Sequence, residues 1–225
     1  LQRVAAVLSI RCFDDLRRCA PWQLQLLCRA LLSHCCMLRG CEQRDGLRVG
    51  EIITISPTFM QLRVADRYSQ KKLKLVPGRV CVVPVERSLR SAGGVLWVYL
   101  ARLHPQRRAD AILFPRVAAD GRLLAQPQSD RQFITAFRRR VREAGMSPQQ
   151  LKHVTGHSFR AGGCTDWAVA GLSAADIKDQ GGWLSDCWRI YVRPLARHAF
   201  NLAARVVAAQ QSLLTSMSQG RRASV

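Results

Sequence analysis

Acidic residues are scarce in this chain: fifteen Asp and Glu stand against thirty-five Lys and Arg, a formal charge of +20 over 225 residues. Solubility needs far less, so beyond a solvated basic surface the excess marks a polyanionic partner. Long apolar runs are also missing. Leu24 to Leu38 is interrupted by Gln25, Arg29, Ser33 and His34, and no run reaches the ~18 residues of a membrane span, so nucleic acid is the polyanion expected and no membrane. The nine cysteines include no CxxC, are odd in number and follow no secretory signal, which predicts free thiols in a reducing compartment. Cys12 and Cys19, like Cys28 and Cys35, repeat at seven and are expected on helix faces as small apolar residues. His34, Cys35, Cys36 and Cys41 lack the paired spacing of a zinc site, so no metal is expected. Internal repeats are absent, and low complexity is confined to Ser216–Ser224. The length suits one domain at residues 1–215 with a polar tail at 216–225. The first residue is Leu1, so a trimmed or fragmentary chain is expected.

What is present is a run of punctuated helices and strands. Pro21-Trp22 precedes a helical pattern with apolar residues at 24, 27, 28, 31, 32, 35 and 38, which points at Arg39. From Glu51 the period becomes that of strands: EIITI, MQLRVAD and VCVVPV, separated by Pro57, Pro77 and Gly78, read as a small antiparallel sheet. YSQKKLKLVPG lies between its second and third strands as a basic hairpin. Val95 to Leu103 predicts a helix, 116–130 a surface loop, and Asp130 a cap for the next helix. That helix sets Phe133, Ile134, Phe137 and Val141 on one stripe and carries Arg131, Arg138, Arg139, Arg140 and Arg142. Such a charge run is a solvated face or a DNA-backbone contact, with Arg138 and Arg142 placed to grip one strand. After Pro194, a last amphipathic helix is expected from about Leu195 to Leu214, with Phe200, Leu202, Val206 and Val207 apolar.

The stretch from Gly156 to Arg193 gathers the residue types that break a phosphodiester without a metal. His157 and Arg160, three apart at a helix start, project from one face. Gly171 ends that helix. Ser173, with Asp176 three residues on, caps a second helix that stops at Gly181-Gly182. Trp183 and Tyr191 follow, eight apart. An arginine fork binds non-bridging phosphate oxygens and stabilises their growing charge. A phenol, whose proton leaves near pH ~10, needs an imidazole or a cationic cluster to become a nucleophile. Its attack leaves a phosphotyrosine that stores the bond energy. HxxR alone is more often a local hydrogen-bonding pair; the ordered set is what carries the reading.

GHSFRAGG, GGW, SD and YVR together resemble the catalytic end of the tyrosine recombinases, most closely the branch of eukaryotic DIRS-type retrotransposons and Crypton transposons. Many bacterial and phage members place the Tyr nine residues after the His or Trp, where here Tyr191 comes eight after Trp183. The resemblance implies a mainly helical catalytic domain with one small antiparallel sheet, without the family's N-terminal core-binding domain. It implies that His157 and Arg160 bind the scissile phosphate, that Trp183 supports it, and that Tyr191 attacks. Upstream, MLRGCEQRDGLRVGEI matches the family's first arginine and its acidic partner at Arg39 and Glu42, with a loop one residue longer than usual; an exposed i,i+3 ion pair is the plain alternative. The hairpin implies a lysine general acid, Lys71 or Lys72, with Lys74 third; contact with phosphates alone is the alternative.

The function implied is cleavage and rejoining of double-stranded DNA by a mobile-element recombinase. It uses no cofactor and acts as a homo-oligomer, a tetramer on DNA, through the C-terminal helix. Type IB topoisomerase chemistry and a DNA-binding module without cleavage are the rivals. The location implied is the nucleus in a eukaryote, otherwise the cytoplasm or nucleoid.

Overall fold

The computed structural model describes residues 2–40, 42, 47–65, 67–69, 74–76 and 78–192. These are mainly helical with small antiparallel sheets, the class expected. After α1 (Gln2–Val7) and a 3-10 turn (Phe13–Arg17), the chain enters α2 (Pro21–Cys35). Pro21 pre-sets the first turn, and the Gln23 side chain accepts from the Ala20 N–H at 2.7 Å. Residues 24–33 of α2 are all buried, so this helix is the axis of the core. Two polar side chains inside that stretch have partners. Gln25 donates to the Pro115 carbonyl (2.7 Å). Arg29 donates to Asp130 (2.7 Å) and the Gln128 carbonyl (2.6 Å), and lies 4.5 Å over Phe133. Burial lowers its pKa to about 10 against the pull of Asp130. The apolar pattern runs on to Leu38 but α2 stops at Cys35. Met37, at φ 47, turns the chain and delivers Arg39.

The expected sheet forms from β1 (Ile52–Ser56), β2 (Phe59–Val64) and β5 (Arg79–Pro84), antiparallel in the order β1-β2-β5. Its alternation is clean: Met60, Leu62, Val64, Cys81 and Val83 are buried, while Val80 and Val82 face out. The hairpin between is β3 (Arg67–Ser69) and β4 (Lys74–Val76), with Ser69 opposite Lys74. Lys71 and Lys72 lie outside the described residues.

Helix α3 (Ala92–Leu103) begins three residues before the expected start at Val95, because Ser91 caps it by accepting from the Gly94 N–H at 3.0 Å. The loop expected at 116–130 is a correction. It contains a second antiparallel pair, β6 (Pro115–Val117) and β7 (Leu123–Pro127), turned at Gly121 with φ 85. Asp130 is not the cap of α4 (Asp130–Glu143). Ser129 and Gln132 form a capping box, which frees Asp130 for Arg29. Then come α5 (Pro148–Lys152), α6 (Gly156–Val169), α7 (Ala174–Gly181) and a 3-10 turn at Asp186–Tyr191. Gly171, at φ 80, ends α6 as expected, and the helix expected after Pro194 lies outside the described residues.

The eight described cysteines are free. Cys28 is buried in α2, but Cys12 and Cys19 flank a 3-10 turn, and Cys12 is exposed rather than on an apolar helix face. No helix among the described residues is long and apolar enough to cross a membrane.

Helix α6 crosses the end of α2 at Gly162 and Gly163. A Cβ on Gly163 would lie 2.0 Å from the His34 carbonyl oxygen, a backbone atom that cannot move aside. Gly163→Ala is therefore expected to lower stability by about 1–3 kcal/mol, the scale of overpacking. Gly156→Ala, where a Cβ meets nothing within 4 Å, is expected to stay within about 0.5 kcal/mol. Urea midpoints of the two variants check this pair.

Candidate active site

The first turn of α6 is fixed by Ser158, whose hydroxyl accepts from the Thr155 N–H (2.9 Å) and donates to the His153 carbonyl (2.6 Å). This sets His157 at the exposed rim and Arg160 in the interior. Arg160 is 2% exposed and donates through Nη1 to the Met37 carbonyl, so α6 is tied to the turn that follows α2. Its guanidinium lies 3.7 Å over the Trp183 ring and 5.7 Å from the Tyr191 ring.

Trp183 gets there because of the two glycines before it. Ser173 caps α7, accepting from the Asp176 N–H at 3.1 Å. At the other end a Cβ on Gly181 would sit 1.8 Å from the Trp183 ring, and Gly182 takes the left-handed conformation with φ 64. The indole thus folds back beneath Arg160. The 3-10 turn at Asp186–Tyr191 brings Tyr191 over the same spot: its ring is 5.4 Å from Trp183 and 6.0 Å from His157, nearly parallel to the latter at 22°. Thr165 anchors it by donating to the Tyr191 carbonyl at 3.2 Å. A small apolar cluster of Met37, Cys164, Ala168, Ile177, Trp188 and Val192 supports this layer.

Arg39 and Glu42 are paired at 2.8 Å, and the Arg39 N–H donates to Glu42 at 2.5 Å. Glu42 is 1% exposed, so the pair is not a surface i,i+3 bridge. The other Arg39 nitrogen donates to the Gly182 carbonyl, which joins the pair to the Trp183 turn. A third arginine, Arg79, joins the site although the spacing pattern does not contain it. Arg79, the first residue of β5, donates to both oxygens of Glu42, to the Cys36 carbonyl (3.0 Å) and to the Gln180 carbonyl (3.0 Å). The available signal was an arginine opening a strand directly after a lysine-rich hairpin.

Burial alone would raise the Glu42 pKa, but Arg79 and then Arg39 outweigh it and hold the carboxyl below the ordinary range. Arg160 is pushed the other way, down to about 10, first by burial and then by repulsion from Arg39 and Arg79. Two guanidiniums, Arg39 and Arg79, thus close on one carboxylate, with Arg160 beside them beneath an exposed imidazole and a half-buried phenol. Such a centre favours an anion able to take hydrogen bonds from several donors.

The structure therefore brings together Arg39, Glu42, His157, Arg160, Trp183 and Tyr191. The arginines expected to bind DNA divide. Arg131 and Arg142 are exposed on α4. Arg139 pairs with Glu143 at 3.3 Å, and Arg140 pairs with it at 2.6 Å while stacking 4.7 Å over Trp22. Arg138 was expected to grip phosphate beside Arg142. Its Nε instead donates to the Val154 carbonyl at 2.7 Å, bracing the approach to α6. For Lys74 only the backbone pairing in β4 is described.

No protein-family model matches the chain, and no curated protein matches it at a significant level. Among solved structures the chain is similar to the Tn1549 transposon integrase (residues 82–397) in complex with circular intermediate DNA, at 16% identity and a TM-score of 0.46. That alignment covers 74% of this chain and 52% of the integrase chain, so this chain spans about half the length of that structure.

Proposed function

We propose that this chain is the catalytic part of a tyrosine recombinase that cleaves and rejoins duplex DNA through a 3′-phosphotyrosyl link. The observation that supports this reading is the convergence of Tyr191, His157, Arg160 and Trp183 with the Arg39–Glu42 pair at one spot, although they come from widely separated stretches of chain. The formal charge of +20 supports DNA as the substrate.

In this reading Arg39 and Arg160 take the non-bridging oxygens of the scissile phosphate. His157 receives the proton as the Tyr191 oxygen attacks phosphorus. The bond from phosphorus to the 5′ oxygen breaks, and Lys71 or Lys72 protonates the leaving oxygen. Trp183 packs beneath the phosphate and offers its indole N–H. A 5′ hydroxyl from a second strand then displaces Tyr191, so the stored bond energy closes the new junction. Arg131, Arg139, Arg142 and Lys74 act along the flanking backbone. The proposal extends to a mobile element of the Crypton or DIRS type, nuclear action, and a tetramer on DNA joined through the segment after Pro194.

The test is incubation with a nicked suicide duplex carrying the element's terminal sequence, followed by a denaturing gel. A slow-migrating protein–DNA adduct is the expected result. Binding of the intact duplex should weaken about 10³-fold between 50 and 200 mM salt if about six phosphates are contacted. Salt-sensitive binding with no adduct would sink the strand-transfer reading in favour of a binding module. Relaxation of supercoiled plasmid without strand exchange would replace it with topoisomerase chemistry.

A further inference from the structure

The geometry points to Arg79 and Gln180 as a positioning lock that couples β4 and β5 to the phosphate clamp. The inference rests on the strand-transfer reading above and deepens it. Gln180 is the penultimate residue of α7 and is 4% exposed. Its side-chain oxygen accepts from the Val82 N–H (2.9 Å), while its amide nitrogen donates to the Val82 carbonyl (2.9 Å) and the Cys35 carbonyl (3.1 Å). One amide therefore takes the place of a neighbouring strand for the middle of β5 and also reaches the end of α2. Its backbone carbonyl accepts from Arg79 Nε (3.0 Å) and the Cys81 thiol (3.4 Å). Arg79 continues the chain of contacts to Glu42, and Glu42 holds Arg39.

The direction of coupling follows from chain order. Strand β4 (Lys74–Val76) ends three residues before Arg79, the first residue of β5. Displacement of β4 therefore pulls first on Arg79, and through it on Glu42 and Arg39. Gln180 is followed directly by Gly181, Gly182 and Trp183, so the same pull reaches the indole under Arg160. Neither Arg79 nor Gln180 needs to touch DNA. Their part is to keep β4, the Arg39–Glu42 pair and the Trp183 turn in register together. Misplacing reacting groups by ~1 Å costs on the order of 10²-fold in rate, so the lock should govern the chemical step rather than binding.

Gln180→Glu tests this. The carboxylate would face the Val82 and Cys35 carbonyls as acceptor against acceptor. Protonated, it again donates to one carbonyl and accepts from Val82, restoring two of the three bonds. The charged or titratable groups around it are Arg79 and Cys81 on β5, Cys35 and Cys36 at the end of α2, and Glu42 with Arg39 behind them. Adduct formation at saturating suicide duplex should fall about 10- to 100-fold at pH 8 and recover toward wild type at pH 5.5. Duplex Kd should stay within about threefold, and thermal melting should show a folded protein at the assay temperature. Arg79→Lys, which keeps the charge but loses the fork, should show the same loss of rate without the acid recovery. A wild-type rate for Gln180→Glu at pH 8, or a loss that tracks the unfolded fraction, overturns the inference. If wild type itself forms no adduct, the strand-transfer reading fails and the lock is judged by amide exchange. Protection at Val82 and Trp183 that is lost in Gln180→Glu at pH 8 supports it, and unchanged protection overturns it.

Discussion

Tyr191→Phe is expected to abolish the covalent DNA adduct while leaving the protein folded and bound to duplex. The phenol oxygen is the only atom removed, and the proposed intermediate forms through that atom. The fall should be at least about 10³-fold, the scale for deleting a covalent nucleophile. The ring itself keeps its contacts with Trp183 (5.4 Å), His157 (6.0 Å) and Arg160 (5.7 Å), and the carbonyl keeps its bond from Thr165. Stability should accordingly change by less than about 0.5 kcal/mol, and duplex Kd by less than about twofold. His157→Ala should lie between, losing about 10²- to 10⁴-fold as a proton acceptor does. An adduct of wild-type intensity in Tyr191→Phe would move the nucleophile elsewhere and end this assignment.

Glu42→Gln is expected to produce the largest loss of stability at neutral pH. Glu42 is 1% exposed and holds Arg39 and Arg79, with Arg160 close enough to feel their charge. Neutralising it leaves the guanidiniums uncompensated in a water-poor site, a change that costs about 3–5 kcal/mol. The pH dependence has a definite sign. The folded-state pKa of Glu42 lies below the ordinary value of 4.5, because Arg79 and Arg39 outweigh burial. Its ion pairs therefore contribute fully above pH 4.5 and are lost as pH falls through the folded value. The gap between wild type and Glu42→Gln should be widest near pH 7 and close progressively below pH 4.5. Urea unfolding at a series of pH values measures it, and a gap independent of pH would remove the ion pairs as its cause.

The parts of this protein that depend on neighbours three or four residues apart were legible in the chain itself. The Ser173–Asp176 cap, the stop at Gly181-Gly182, the break at Gly171 and the alternation of β2 and β5 all appear where the spacing put them, since each is decided by local hydrogen bonds or pleat. The ordered set from His157 to Tyr191 was legible through its resemblance to the recombinase motifs rather than through local spacing. Tertiary structure alone decided that Arg79 closes on Glu42 and that the Gln180 amide serves as a partner for β5. It also decided that Asp130 leaves its helix end for Arg29, and that 115–127 pairs as strands without an alternating pattern. These contacts join residues tens of positions apart. Their energies come from burial and from charges left without water, and those are set only once the helices have packed.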